Sequence, residues 1–187
     1  MKKRLWLALL ALASLPVQAG GWKSSLLVER GGIQHRFADP CCRYRQEPSR
    51  HGYSLIREEG DDGGAVYLIT PQGVKHTLGN ERIVFSPDRQ WAFSEASFIE
   101  GYRWQLHDLS AAQDRPLAMP VAWADLEGQK FNGKLVRLLA ARWQGARQLK
   151  LDWDCAGLGT MSTSLRLTPQ GQTSGPRPCS QLQPEPQ

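Results

Sequence analysis

An all-β domain, antiparallel and stapled by disulfides, is the fold class this sequence predicts. Short apolar segments with period-two alternation run from Ser24 to Leu167, separated by Gly, Pro and Asp turn signals. Helical spacing competes with that pattern in a single segment, Lys134–Trp143. Cys41, Cys42, Cys155 and Cys179 form an even set behind an export-type leader, which favours two disulfides. The expected architecture is a twisted meander, sandwich or open barrel, with a small propeller-like arrangement as the alternative.

The leader comes first. Lys2, Lys3 and Arg4 precede the uncharged run Leu5–Leu15, and Pro16 and Val17-Gln18-Ala19 then supply a cleavage-site pattern. Residues 1–19 read as a signal peptide, 20–175 as the β-rich domain and 176–187 as a proline-rich tail. The leader run is too short for a span of about 20 residues, and no later stretch is long and apolar enough, so no integral membrane segment is expected in the mature chain. The first cysteine, Cys41, lies too far from Gly20 to carry a lipid anchor there. The destination expected is the bacterial periplasm or the exterior. Without the three leader cations the excess of basic residues falls from five to two, which gives no electrostatic reason for nucleic acid as a partner. Hydrophobic residues at 41% suffice for a packed core and argue against disorder.

Along the mature chain, Ser24–Glu29 and Ile33–Phe37 flank Arg30-Gly31-Gly32, a hairpin signal. Asp39–Arg50 reads as a loop holding Pro40, the cysteine pair and a basic cluster. Tyr53–Arg57 and Ala65–Thr70 flank an acidic, glycine-rich turn, Glu58–Gly64. Thr70-Pro71-Gln72-Gly73 fits a type I turn and recurs as Thr168-Pro169-Gln170-Gly171. Arg82–Phe85 and Trp91–Ser94 are short strands around Ser86-Pro87-Asp88-Arg89. Tyr102–Leu109 alternates, with Tyr102, Trp104 and Leu106 opposite Arg103, Gln105 and His107. Ser110–Pro120 reads as a connection. Lys134–Trp143 carries helical propensity, but Gln144-Gly145-Ala146 and the alternating Gln148–Asp154 look like a hairpin return, which favours a strand. Ser162–Leu167 closes the sheet, and Pro176–Gln187 is expected to fray around Cys179.

Residues Phe85-Ser86-Pro87-Asp88, Trp91-Ala92-Phe93-Ser94 and Tyr102-Arg103-Trp104 running to Asp108-Leu109 resemble one blade of the TolB-type, Trp-Asp-repeat-like β-propellers. With Val66–Thr70 as the outer strand of a preceding blade, the resemblance covers about residues 66–109. Arg89 stands where that family places glycine, and no second Ser-Pro-Asp turn occurs. The resemblance implies a local four-stranded antiparallel meander and a non-catalytic scaffold or binding module.

The remaining chemistry is sparse. A Cys41–Cys42 ring would strain the amide between them, so the expected bonds join Cys41 and Cys42 each to Cys155 or Cys179. His35, His51, His76 and His107 lack metal-ligand spacing and read as surface or capping residues; no metal and no cofactor are expected. Glu58, Glu59, Asp61 and Asp62 lack the EF-hand order and read as a solvated turn. Asp152 and Asp154 share a strand face and are the best carboxylate pair, with a solvated face opposite Leu151 and Trp153 as the plainer reading. Arg43, Tyr44, Arg45 and Arg50 form the densest basic-aromatic cluster, suited to carboxylates and phosphates. These residues give the expectation of an exported, non-enzymatic binding or accessory protein. Its expected partner is an envelope protein or an anionic envelope polymer, and an inhibitor or immunity-type protein is one concrete form. The alternatives are a small envelope hydrolase using Asp152 and Asp154 and a thiol-redox protein using Cys41 and Cys42.

Overall fold

A computed structural model describes residues 21–61, 63–98, 101–118, 130–131, 134–168, 173–174 and 178–180. The expected signal segment Met1–Ala19, the Pro169–Gly171 part of the repeated turn and most of the tail Pro176–Gln187 lie outside the described residues. Strands are β1 (Leu26–Arg30), β2 (Ile33–Phe37), β3 (Cys42–Arg50), β4 (Tyr53–Gly60), β5 (Val66–Ile69), β6 (Lys75–Leu78), β7 (Arg82–Phe85) and β8 (Trp91–Phe98). They continue as β9 (Gly101–Asp108), β10 (Pro116–Ala118), β11 (Lys130–Phe131), β12 (Lys134–Leu135), β13 (Arg137–Trp143), β14 (Gln148–Asp154), β15 (Thr160–Leu167) and β16 (Thr173–Ser174). No helix occurs among the described residues. The fold is all-β.

Three four-stranded antiparallel meanders, β3–β6, β7–β10 and β13–β16, are joined by the β1–β2 hairpin and the short β11–β12 pair, and no sheet closes into a barrel among the described residues. They stack in chain order. Val28 and Phe37 of the hairpin pack on Tyr44, Ile56 and Ile69 of the first sheet. The opposite face of that sheet, with Leu55, Val66, Leu68 and Leu78, packs on Ala92 and Leu109 of the second. Trp91, Phe93, Trp104 and Leu106 then meet Leu149, Leu151, Trp153 and Leu165 of the third. At this joint the Trp104 and Trp153 rings meet edge to face, 4.9 Å apart at 88°, a favoured aromatic geometry. Because the middle sheet is covered on both faces, β8 is buried continuously from Trp91 to Glu95 rather than on alternate residues.

Two turns behave as the sequence predicts. Arg30 pairs with Ile33, leaving Gly31 and Gly32 as a two-residue loop with φ of +56° and +74°, a type I′ requirement. A Cβ on Gly31 would lie 2.5 Å from the Gln72 carbonyl, so only glycine lets this hairpin tip rest on the Thr70–Gly73 turn. Arg89 has φ of +61° and its carbonyl accepts the Tyr53 hydroxyl at 2.8 Å, which pins a left-handed non-glycine residue in place.

Four readings need correction. Asp39–Arg50 is not a loop: Cys42–Arg50 is an edge strand, and its period-two pattern is carried by Tyr44 against Arg43 and Arg45 instead of by apolar residues. Pro48 is tolerated there because an edge strand need not donate outward and the ladder shifts register between Glu47 and Arg50. The Ser110–Pro120 connection contains β10, which pairs Pro116–Ala118 with Gln105–His107. Glu58 and Glu59 belong to β4 instead of the following turn. The disulfides are Cys41–Cys42 and Cys155–Cys179, not long bonds between the two pairs. The stacking explains this, since Cys42 packs in the hairpin-side cluster whereas Cys155 and Cys179 pack in the cluster of the third sheet. The whole second sheet lies between them. Lys134–Trp143 is strand, interrupted at Val136 and bulged between Leu138 and Ala140.

Candidate functional site

The predicted cluster divides. Successive residues of β3 face opposite ways, so Tyr44 points into the core, fully buried, with its hydroxyl donating to Asp39 Oδ2 at 3.2 Å. Tyr44 therefore leaves the candidate surface. Arg50 lies seven residues beyond Arg43, about 23 Å along the strand by the rise per residue, and does not join it either. Arg43 and Arg45 remain together. Their guanidinium groups sit over the Trp22 ring at 5.7 and 4.8 Å from its centroid, within cation–π range. Trp22 is brought there because Lys23 and Tyr44 exchange backbone hydrogen bonds of 2.8 and 2.7 Å.

Around this stack, Arg43 Nη2 donates to Glu59 at 2.8 Å and Arg57 Nε donates to Glu47 at 2.8 Å, while Arg45 reaches Glu47 only at 3.5 Å. Burial opposes the charge on Glu47, but the hydrogen bond and charge of Arg57, aided by Arg45, outweigh it and hold the carboxyl below the usual range. Three guanidinium groups thus share two carboxylates, and the face keeps a net positive charge. Nε of Arg45 is buried without a hydrogen-bond partner.

A second constellation had no signal in the sequence. His76 on β6 and His107 on β9 are fully buried, which corrects their reading as surface or capping residues. Both turn Nδ1 toward Oδ1 of Asp114, at 3.1 and 3.6 Å, and the Thr77 backbone N–H donates to Oδ2 at 2.8 Å. Burial opposes ionisation of Asp114, but the imidazoles of His107 and His76 and the Thr77 N–H outweigh it and hold the carboxyl well below the usual range. Nε2 of His107 and the Ser94 hydroxyl are hydrogen-bonded at 2.9 Å. Ser94, His107 and Asp114 stand in the order of nucleophile, base and orienting acid. Ser94 is only 1% exposed, however, enclosed between the first two sheets. The network ties those sheets together through the His76–Asp114 and Ser94–His107 bonds, while His107 Nδ1 and His76 Nε2 are buried without a hydrogen-bond partner.

Glu95 is a further buried carboxyl. Burial raises its pKa, against the opposing hydrogen bond from Trp104 Nε1 at 3.0 Å and the charge of Arg82. The carboxylates predicted from sequence are placed differently. Asp152 accepts from Arg142 and from Ser162 Oγ, and the Ser162 bond leads in holding its pKa down. Asp154 faces Arg137 at 3.6 Å and accepts the Gly157 N–H at 2.8 Å. Leu151 and Trp153 are fully buried on the other side, so the pair lies on the polar outer face of the third sheet. Asp152, its carboxyl held below the usual range by Ser162 and Arg142, is a poor proton donor for glycoside cleavage. Among the described residues no three His, Cys, Asp or Glu side chains are placed to hold a metal ion, and no helix is long and apolar enough to cross a membrane. No family model, no curated protein and no solved structure matches this chain.

Proposed function

We propose that this chain is an exported, non-enzymatic binding or accessory protein that recognises an anionic envelope partner. The observation that carries this reading is the pair Arg43 and Arg45 stacked on Trp22, with three guanidinium groups against two carboxylates. Stacking on an indole fixes both side chains before a partner arrives and reduces the ordering cost of binding. Guanidinium groups so held offer paired donors to carboxylate or phosphate. Buried disulfide sulfur supports an oxidising compartment. The resemblance of residues 66–109 to a propeller blade belongs to the same reading: meanders stacked face to face in chain order suit a rigid scaffold whose edges bind.

Retention of the mature protein on lipopolysaccharide micelles and on peptidoglycan sacculi tests the proposal. The Arg43→Ala/Arg45→Ala variant is expected to lose retention at least about tenfold with unaltered thermal unfolding. Equal retention of the variant and the parent would remove this face from consideration.

A further inference from the structure

Between edge strands β7 and β13 a cleft of about 310 Å³ opens, lined by Glu81, Arg82, Glu95, Tyr102, Arg137 and Leu138. We propose that this cleft holds a saccharide ring, and that the partner of the protein is a glycan carrying an anionic substituent. The β13 bulge turns Leu139 outward, 44% exposed, and the Leu138 carbonyl accepts Arg82 Nη2 at 3.3 Å. Bulges commonly re-aim side chains beside binding sites. Arg82 Nε faces Glu95 at 3.5 Å, and its Nη1 is buried without a hydrogen-bond partner. Glu81 accepts Ser97 Oγ at 2.6 Å, and the Tyr102 ring is backed by Trp104 at 6.5 Å and 17°.

The mixture of groups selects the ligand. A compact anion would meet two carboxyl groups, and a cation would meet two guanidinium groups. Each sugar hydroxyl is both donor and acceptor, so adjacent hydroxyls serve Glu81 and Glu95 together with Arg82 and Arg137. The C–H face of a pyranose suits Tyr102 and the outward Leu139. The volume lies at the small end of ligand sites, right for one sugar ring with its substituents.

The cleft adjoins the cationic face. Arg57, which shares Glu47 with Arg45, also donates from Nη1 to the Asn80 carbonyl at 3.3 Å, and the next residue, Glu81, lines the cleft. A ring in the cleft therefore places its neighbours toward Arg57, Arg45 and Arg43. The anionic half of this inference rests on the function proposed above; the cleft does not.

Titration of the mature protein with chitotriose, a neutral probe, and trigalacturonate, a carboxylated one, followed by calorimetry and tryptophan fluorescence, tests both halves. Both probes are expected to bind, and the rim variant Glu81→Ala/Arg137→Ala is expected to weaken both at least about tenfold without shifting thermal unfolding. Arg43→Ala/Arg45→Ala is expected to weaken trigalacturonate alone. No binding of chitotriose at about 10 mM, or binding that survives the rim variant, overturns the cleft as a saccharide site. Should trigalacturonate still depend on Arg43 and Arg45 in that case, the function proposed above stands without the cleft. Chitotriose binding lost in the rim variant, with trigalacturonate indifferent to Arg43 and Arg45, overturns the anionic half and keeps the cleft.

Discussion

Asp114 bonds His76 and the Thr77 backbone N–H and faces His107 at 3.6 Å, and its replacement by alanine removes the acceptor of the first two and the anion beside the third. Each buried polar group so orphaned costs about 1–3 kcal/mol, and Asp114→Ala is expected to destabilise by about 2–4 kcal/mol on that scale. The pH dependence has a definite sign. The folded protein holds this carboxyl below its ordinary value of 3.8, so its contribution is present at neutral pH, above that value. It is lost as pH falls below about 4 toward the folded value. Urea unfolding at pH 7 and pH 3 should therefore show a larger difference between parent and variant at pH 7, and an equal difference at both would contradict the network. Arg89 offers the reverse test. A left-handed residue with a Cβ costs about 1–2 kcal/mol, and glycine returns part of that through a freer unfolded chain. Arg89→Gly is expected to stabilise by about 0.5–1 kcal/mol on those terms, since the Tyr53 bond to its carbonyl needs no side chain; a lower melting temperature would argue against strain at this turn.

At the scale of strands and bonds, the two disulfides do different work. Cys155 and Cys179 are separated by 24 positions and lie with Cα atoms 5.5 Å apart. Loop closure of that length restricts the unfolded chain, by about 3 kcal/mol in the chain-entropy account. Cys41–Cys42 joins neighbours and leaves the unfolded chain almost as free as before. Cys155→Ala/Cys179→Ala should thus lower unfolding stability by about 3 kcal/mol and Cys41→Ser/Cys42→Ser by less than about 1 kcal/mol, both measured by urea denaturation. Equal losses would show that the ring shapes the start of β3. Legibility in the sequence divides along the same lines. Turns set by glycine and proline and strands with apolar alternation, such as Tyr102–Asp108 and Gln148–Asp154, announce themselves locally. Strand β3 does not, because its inward residue is a tyrosine between arginines. Pairing of the cysteines and the meeting of His76, His107 and Asp114 depend on which sheets touch, and nothing within one segment encodes that. Arg43 and Arg45 were legible as a basic cluster, whereas their platform Trp22 was hidden by the 20 residues between it and Arg43.

Across the whole molecule, burial is uneven along the stack. The third sheet shares with the second a core containing Trp91, Phe93, Trp104 and Trp153 and closed by the Cys155–Cys179 bond. The hairpin at the other end rests on the first sheet through Val28 and Phe37 and leaves Leu27 and Ile33 at 60% and 48% exposure. Apolar area removed from water sets the cost of opening at about 25 cal/mol per Å², so the hairpin detaches more cheaply than the third sheet. Local opening of such units precedes global unfolding. Hydrogen exchange should therefore show amides of Leu26–Arg30 and Ile33–Phe37 exchanging through sub-global opening, while those of Leu149–Trp153 exchange only on complete unfolding. The same gradient bears on function: Trp22 enters the first sheet just before this hairpin through the Lys23–Tyr44 bridge, so hairpin release would loosen the platform beneath Arg43 and Arg45. A bound anionic glycan should then slow exchange in Leu26–Arg30 without touching β14. Uniform protection along the stack, or a ligand effect confined to β14, would show that the sheets open as one and that the platform is not coupled to the hairpin.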